Sequence, residues 1–276
     1  MRNMLNAATT MGQLQQRIDL TSNNLANTDT YGYKSKQAQF SSLLFQQIDN
    51  MAGGDAESPR LTPEGIRVGS GARMAHTSMN LDVGTLQQTD RALDIAIQDA
   101  NRFFVVNAPL ENGESELRYT RAGNFYLQPV NDNEQVMLTT NQGVPVQGQD
   151  GPILIDGGFD DIGLNENGDV RVTRGDQTET EATLQVVDIE RTRTLEAVGA
   201  NTYRLDEAEL GVPIADFVND IAPQAANLHP GALESSNVDM AKEFTDLIEA
   251  QRAYSFNARS ISMGDQMMGL IGSMRS

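Results

Sequence analysis

The sequence predicts an α+β chain. An all-β central domain, an antiparallel sandwich or open barrel, is inserted between long N- and C-terminal helices that pair as a helical core. Three observations carry this. Apolar residues recur every seven positions at both ends of the chain, and sustained heptads occur only there. Short apolar runs broken by Asn-Gly and Asp-Gly dipeptides fill the middle, and such dipeptides favour the tight turns of antiparallel strands. Charge separates the same regions. Residues 1–80 hold 7 basic and 6 acidic side chains, residues 81–230 hold 9 and 26, and residues 231–276 hold 4 and 6.

The C-terminal helix is the longer. Ser236 is placed as its cap and Asp239 in its first turn, where negative charge suits the helix dipole. Met240, Leu247, Tyr254, Ile261 and Met268 then repeat at seven, with Phe244, Gln251 and Ala258 between them. About 36 residues at 1.5 Å each would run roughly 54 Å, more than a small domain can cover, so the seam needs a partner helix. The N-terminal candidate carries Met4, Met11, Ile18 and Leu25 at the same spacing, with Ala7, Leu14 and Thr21 between. Heptads serve equally for closing one chain on itself and for joining several.

Taken in order, residues 1–35 read as the N-terminal core helix and its exit, where Asn23, Asn24, Asn27 and Gly32 supply turn conformations. Residues 36–80 read as a linker and extended arm. A short helix is expected through Phe40, Leu43, Leu44 and Ile48, and a short strand at Ile66 and Val68. Residues 81–203 read as the central domain, with strands at Ala92–Ile97, Phe103–Val106, Tyr119–Arg121, Asn124–Leu127, Val136–Thr139, Ile153–Ile155, Asp161–Leu164, Asp169–Val172 and Leu184–Ile189. Turns are expected at Asn112-Gly113, Asp150-Gly151, Asp156-Gly157 and Asn167-Gly168. Residues 204–235, with Pro213, Pro223 and Pro230, read as an irregular return, and residues 236–276 as the C-terminal core helix.

Composition narrows the chemistry. The net charge of −18 is concentrated in the middle, and no basic stripe exists to neutralise phosphates, so nucleic acid is not expected as a partner. Near-neutral ends suit surfaces that meet copies of themselves. Aromatic residues make up only 5% and tryptophan is absent, which leaves few platforms for stacking. There is no cysteine, hence no disulfide or thiolate site. No run approaches 18 apolar residues, so membrane insertion is not expected, and the N-terminus lacks the pattern of a cleavable export signal. His76 and His229 stand alone, outside any metal-ligand spacing. Asp160-Asp161 and Glu114 with Glu116 are paired acids, as a glycosidase would need, but nothing separates them from a solvated acidic face. Asn165-Glu166-Asn167-Gly168-Asp169 has part of a calcium-loop pattern and reads better as a hairpin turn. The expectation is a non-enzyme with no catalytic residue, metal or cofactor. The alternative from another class is an acidic binding or glycan-processing domain on a helical stalk.

Several runs resemble the bacterial flagellar rod and hook family. Ser22–Lys34, with its Asn23-Asn24-Leu25-Ala26-Asn27 and Tyr31-Gly32-Tyr33-Lys34, is similar to the family's N-terminal signature. Leu233–Asp239 and Ile248–Tyr254 resemble its C-terminal signature. Leu93–Ile97, Phe103–Val106 and Tyr119–Phe125 resemble markers of the central domain. Within the family, Leu61–Arg73 is similar to an arm of distal rod proteins, and the proximal rod or hook type is the alternative. Where family members usually carry glycines before the paired phenylalanines, this chain has Asp99-Ala100-Asn101-Arg102, one residue longer.

The resemblance implies a subunit of the flagellar basal-body rod that polymerises with itself, meets other rod and hook proteins and leaves the cell through the flagellar type III export apparatus. It implies an assembly surface comprising Met4, Met11, Leu14, Ile18, Leu25, Phe244, Leu247, Gln251, Tyr254, Ile261 and Met268, together with Asn23, Asn24, Asn27, Gly32 and Tyr33 of the signature.

Overall fold

The computed structural model describes residues 2–42, 45–48, 66–69, 72–110, 115–130, 134–205 and 217–274. The chain is α+β and divides into two compact units, one of residues 1–25, 36–78 and 239–276, the other of residues 26–35 and 79–238.

The first unit holds two helices, α1 (Arg2–Ala26) and α2 (Met240–Met274). At 1.5 Å per residue they span about 37 and 52 Å. Neither end of α1 carries charges that complement its dipole, so its stability comes from what one face touches. α2 is capped by Asp239, not Ser236. The Asp239 carboxylate accepts the N–H groups of Ala241 at 3.0 Å and Lys242 at 3.1 Å. Ser236 accepts only the Val238 N–H, at 3.4 Å. The cause lies at Asn237, whose side chain bonds the backbone of Ser35, Asn80 and Asp82 and holds that stretch out of helical geometry.

The expected short helix after residue 36 is absent. Lys36–Ser42 and Phe45–Ile48 are strands, paired with Ala72–Met79 and Ile66–Gly69 respectively. Four apolar residues at mixed spacing could not decide between helix and strand, and cross-strand pairing decided it. Ile66 and Val68 do lie in a strand. Leu43, Leu44 and residues 61–65, 70 and 71 fall outside the described residues.

The second unit is β-rich. A six-stranded antiparallel sheet runs in the order Leu195–Gly199, Thr202–Leu205, Ser115–Thr120, Arg102–Pro109, Val186–Ile189, Val218–Asp220. Successive side chains of a strand point to opposite faces, and here both faces are covered. Phe104 goes to one core, edge-on to Phe125 at 5.3 Å and beside Ile95, Leu138 and Val170. Phe103 goes to the other, edge-on to Tyr203 at 6.0 Å and beside Val187 and Ile189. That is why the Phe103–Val106 run is continuously apolar instead of alternating. Two three-stranded sheets complete the larger core: Tyr126–Val130, Gln135–Thr139 and Leu154–Asp156; and Asp161–Leu164, Asp169–Arg174 and Gln177–Thr183. At the Asn165–Asp169 hairpin the Asn165 side chain accepts the N–H groups of Asn167 and Asp169, which is turn chemistry.

The segment expected to be an irregular return supplies three short strands. Val218–Asp220 edges the large sheet, Leu228–Pro230 pairs with Ile95–Ile97, and Ala232–Glu234 pairs with Leu86–Gln88. The Asn112-Gly113 turn and Pro213 lie outside the described residues.

Candidate assembly surface

Within the first unit the two helices touch along one face of each, in antiparallel sense. Met4 lies beside Gly264, where an added Cβ would sit 3.1 Å from the Met4 thioether. Arg17 pairs with Asp246 at 2.8 Å. The Asn24 amide donates to Glu243 Oε1 at 3.1 Å. Each partner of the Arg17–Asp246 pair is about one-third exposed, so it contributes about 0–1 kcal/mol and sets register more than stability. Burial raises the Glu243 carboxyl, while Asn24 pulls it the other way. Asn24 also donates to the Lys36 carbonyl and accepts the Lys36 N–H, both at 2.9 Å, tying the start of the arm to α1 as a neighbouring strand would.

On α1, Ala7 and Thr21 are buried on this face, and Met4, Met11, Leu14, Ile18 and Leu25 are half-buried. On α2, Leu247, Tyr254 and Ile261 are half-buried, and the positions between them are Ala250, Asn257 and Gly264. The intermediate row thus falls one residue before the one expected from hydrophobicity. Phe244, Gln251 and Met268 are exposed, as is Met240. Small residues let the backbones approach, whereas a phenylalanine at the contact would hold them apart.

What remains of α2 is an apolar surface turned to solvent. Phe256 is 70% exposed, Met267 64%, Leu270 65% and Met274 88%. A groove of about 910 Å³ runs between Met4, Ala7, Met263, Gly264, Met267 and Ile271. Contiguous exposed apolar area is characteristic of interaction surfaces.

In the second unit the two ends of the chain meet around one buried carboxylate. Glu234 Oε1 accepts Lys34 Nζ at 2.7 Å and the Gly84 N–H at 2.8 Å. Oε2 accepts Arg121 Nε at 3.0 Å and Nη2 at 2.9 Å. All three charged side chains are at most 1% exposed. Arg121 also donates to the carbonyls of Ile97, Asp99, Ala100 and Arg102, so the long loop before Phe103 wraps its guanidinium. Gly32, at φ +67°, donates its N–H to the Glu234 carbonyl at 2.7 Å; a Cβ there would lie 2.6 Å from the Arg121–Ala122 backbone. Tyr33 is buried beside it, and Asn27 accepts the Thr30 N–H in the turn that leads there.

Residues 4–34 match a family described as flagella basal body rod protein. Residues 96–172 match the flagellar hook protein FlgE/F/G D1 domain, and residues 229–273 the flagellar basal body rod FlgEFG protein C-terminal region. Over the full length of both chains the sequence is 39% identical to the flagellar hook-basal body complex protein FlhP of Bacillus subtilis. It is 33% identical, again over both full lengths, to the flagellar basal-body rod protein FlgG of Caulobacter vibrioides. FlgG of Bacillus subtilis is 28% identical over 97% of each chain. The chain belongs to the flagellar basal-body rod and hook family.

In this rod-family chain the two terminal matches cover α1 with its exit turn, and the Leu228–Glu234 strands with α2. Sequence reading found both runs, and the Tyr119–Phe125 run of the central domain, and missed that one charge from each, Lys34, Glu234 and Arg121, meet in one cluster. Among the described residues no group of three or more His, Asp or Glu side chains could hold a metal, and no helix is long and apolar enough to cross a membrane. His76 and His229 are exposed; Asp160 accepts the Gly175 N–H, and Glu116 pairs with Arg118 and Arg204. Glu114 lies outside the described residues.

The buried cluster makes stability depend on pH. Burial pushes Lys34 down from 10.5 to about 8, the Arg121 charge adds to this, and Glu234 and Asp82 oppose it without prevailing. From pH 8 to 10.5 the unfolded chain therefore holds a proton that the folded chain has released. Stability rises across that window by up to about 3 kcal/mol; below pH 8 both states are protonated and the gain is absent. Burial raises Tyr119 and Tyr203, so above pH 10 unfolded phenols ionise first and stability falls. Urea midpoints of the full chain should climb from pH 7.5 to 9.5 and decline beyond 10.5. Lys34→Met should remove the climb and leave the decline.

Proposed function

We propose that this chain is a distal-type structural subunit of the flagellar basal-body rod, and that its terminal helices pair and carry the contacts between copies in the axial tube. The rod and FlgG relatives support the structural role and the place in the basal body, where the subunit assembles with other basal-body components. The tube transmits torque and conducts exported subunits, and the chain reaches its growing tip through the flagellar type III export apparatus.

One observation carries the role of the helices: α2 shows solvent an apolar surface along its length, opposite the face that meets α1. A helix with two apolar faces needs two coverings, and α1 supplies one. The acidic middle of the chain, net −17 over residues 81–230, suits an outward position in which like charges stay apart.

The test is Phe256→Asp. Phe256 is 70% exposed, so the substitution leaves the chain's own packing alone. In a polymer it would replace a buried aromatic ring by a carboxylate set between Arg252 and Arg259, at about 2–3 kcal/mol or more in every copy. Cells carrying it in place of the natural copy should not swim, while the purified chain keeps its circular dichroism and its unfolding midpoint. Normal swimming would sink the assignment.

A further inference from the structure

The outward faces of the two helices are unlike and complementary. On α1 the exposed row comprises Leu5, Ala8, Gly12, Gln15, Gln16, Asp19, Ser22, Asn23 and Ala26: small and polar side chains, with one carboxylate among them. On α2 the exposed row is made of Phe244, Ile248, Phe256, Met263, Met267 and Leu270, and among them stand Arg252 and Arg259. At about 100° per residue, Arg252 and Arg259 fall in the middle of the apolar stripe, Glu249 stands at its edge with Met267, and Lys242 and Asp265 lie outside it on either side. Asp19, Arg252 and Arg259 make no ion pair among the described residues, whereas Arg17, on the inner face of α1, has Asp246.

We propose that in the rod the outward face of α2 of one copy seats on the outward face of α1 of its neighbour, with Arg252 of the first paired to Asp19 of the second. This rests on reading the terminal helices as the assembly surface. Three arguments select it. Shape is the first: large side chains of one helix enter the gaps at Ala8, Gly12, Ser22 and Ala26 on the other, the ridge-into-groove fit that lets helices pack closely. Charge is the second: the two rows have opposite sign, and each charge stands within its own row. Register is the third. Copies that all point the same way along an axis bring α1 of one and α2 of the next together antiparallel, as they are within one chain. There Arg17 is level with Asp246 and Asn24 with Glu243, which places Asp19 level with the turn around residues 244–249. Arg252 lies about 5–12 Å further along the helix, a gap that a small axial step between neighbours and the length of an arginine side chain close together. Arg259 lies two more turns away, roughly 10 Å, and serves as the internal control.

The test exchanges the charges in cells whose own copy is replaced. Asp19→Arg and Arg252→Asp alone should each cut the number of completed rods at least tenfold. The double variant should restore at least half, and Asp19→Arg with Arg259→Asp should restore none. Both positions are exposed, so the purified variants should unfold as the parent does. A second measurement uses the absence of cysteine from the chain. Rods built from a mixture of Asp19→Cys and Arg252→Cys copies should give covalent dimers with a short bismaleimide, and rods of either variant alone should not. The pairing is overturned if the single reversals assemble normally, if the double variant is no better than the singles, if Arg259→Asp rescues equally well, or if mixed rods give no dimer. Phe256→Asp separates the two levels. Should it block assembly while the reversals do not, only the pairing falls; should it also be harmless, the wider reading falls with it.

Discussion

Glu234→Ala should destabilise the β-rich unit by about 3–5 kcal/mol, the range for removing one partner of a buried ionic cluster. Lys34 and Arg121 are 1% and 0% exposed at their side chains, so neither can turn to water when the carboxylate goes. Lys34 would keep the carbonyls of Leu81 and Asp82, and Arg121 those of Ile97, Asp99, Ala100 and Arg102, but two positive charges would remain with no anion between them. The Gly84 N–H would lose its acceptor as well. Glu234→Gln should cost nearly as much, because the amide keeps the shape and supplies no charge. Lys34→Met in the Glu234→Gln background should recover part of the loss, since one uncompensated cation is then gone. Urea unfolding of the parent, Glu234→Gln, Lys34→Met and the double variant gives the coupling directly. A loss under about 1 kcal/mol for Glu234→Ala would mean that water reaches the cluster, which its burial denies.

The elements that were legible in the sequence are those whose signal is local. Met4, Met11, Ile18 and Leu25 mark α1 within a single stretch, and Asn165 to Gly168 marks its own turn. The contact between α1 and α2 was read one residue late. Phe244 and Gln251 were placed beside Leu247 by their spacing alone, which does not fix the face to within one residue, whereas Ala250 and Gly264 occupy the contact because they are small. The arm was misread at Phe40 and Ile48 because the partner strands that settle their conformation, Ala72–Met79 and Ile66–Gly69, come only later in the chain. Strands as short as Leu228–Pro230 and Ala232–Glu234 are below the length at which alternation can register. The cluster was the least legible of all. Glu234 is 200 residues from Lys34 and 113 from Arg121, and only the topology of the β unit makes them neighbours. The glycines beside it were a usable sign. Gly32, Gly84 and Gly123 each stand where another stretch of backbone crosses within reach of a Cβ, and a glycine next to a strand signals such an approach.

Gly123→Ala tests that geometry and should cost about 3 kcal/mol or more, the upper end of what overpacking does. A Cβ at position 123 would lie 1.7 Å from the Ile95 carbonyl oxygen and 2.9 Å from its carbon, and both are backbone, so no side chain can swing aside. The strand Ile95–Ile97 would have to move, and with it the hydrogen bond from the Ile95 N–H to the Gly123 carbonyl and the pairing of that strand with Leu228–Pro230. Arg121, two residues upstream, holds the loop after that strand and Glu234 together, so the disturbance reaches the cluster that joins the two ends of the chain. Gly84→Ala should behave alike, with its Cβ 2.0 Å from the Ser235 carbonyl oxygen. Gly163→Ala is the matched control: it also sits in a strand of this unit, nothing lies within 4 Å of the added carbon, and the loss of unfolded-state freedom should leave stability unchanged or raised by up to about 1 kcal/mol. If Gly123→Ala and Gly163→Ala unfold at the same urea concentration, the close crossing at Ile95 is not a feature of the folded chain, and the account of why this signature needs its glycines goes with it.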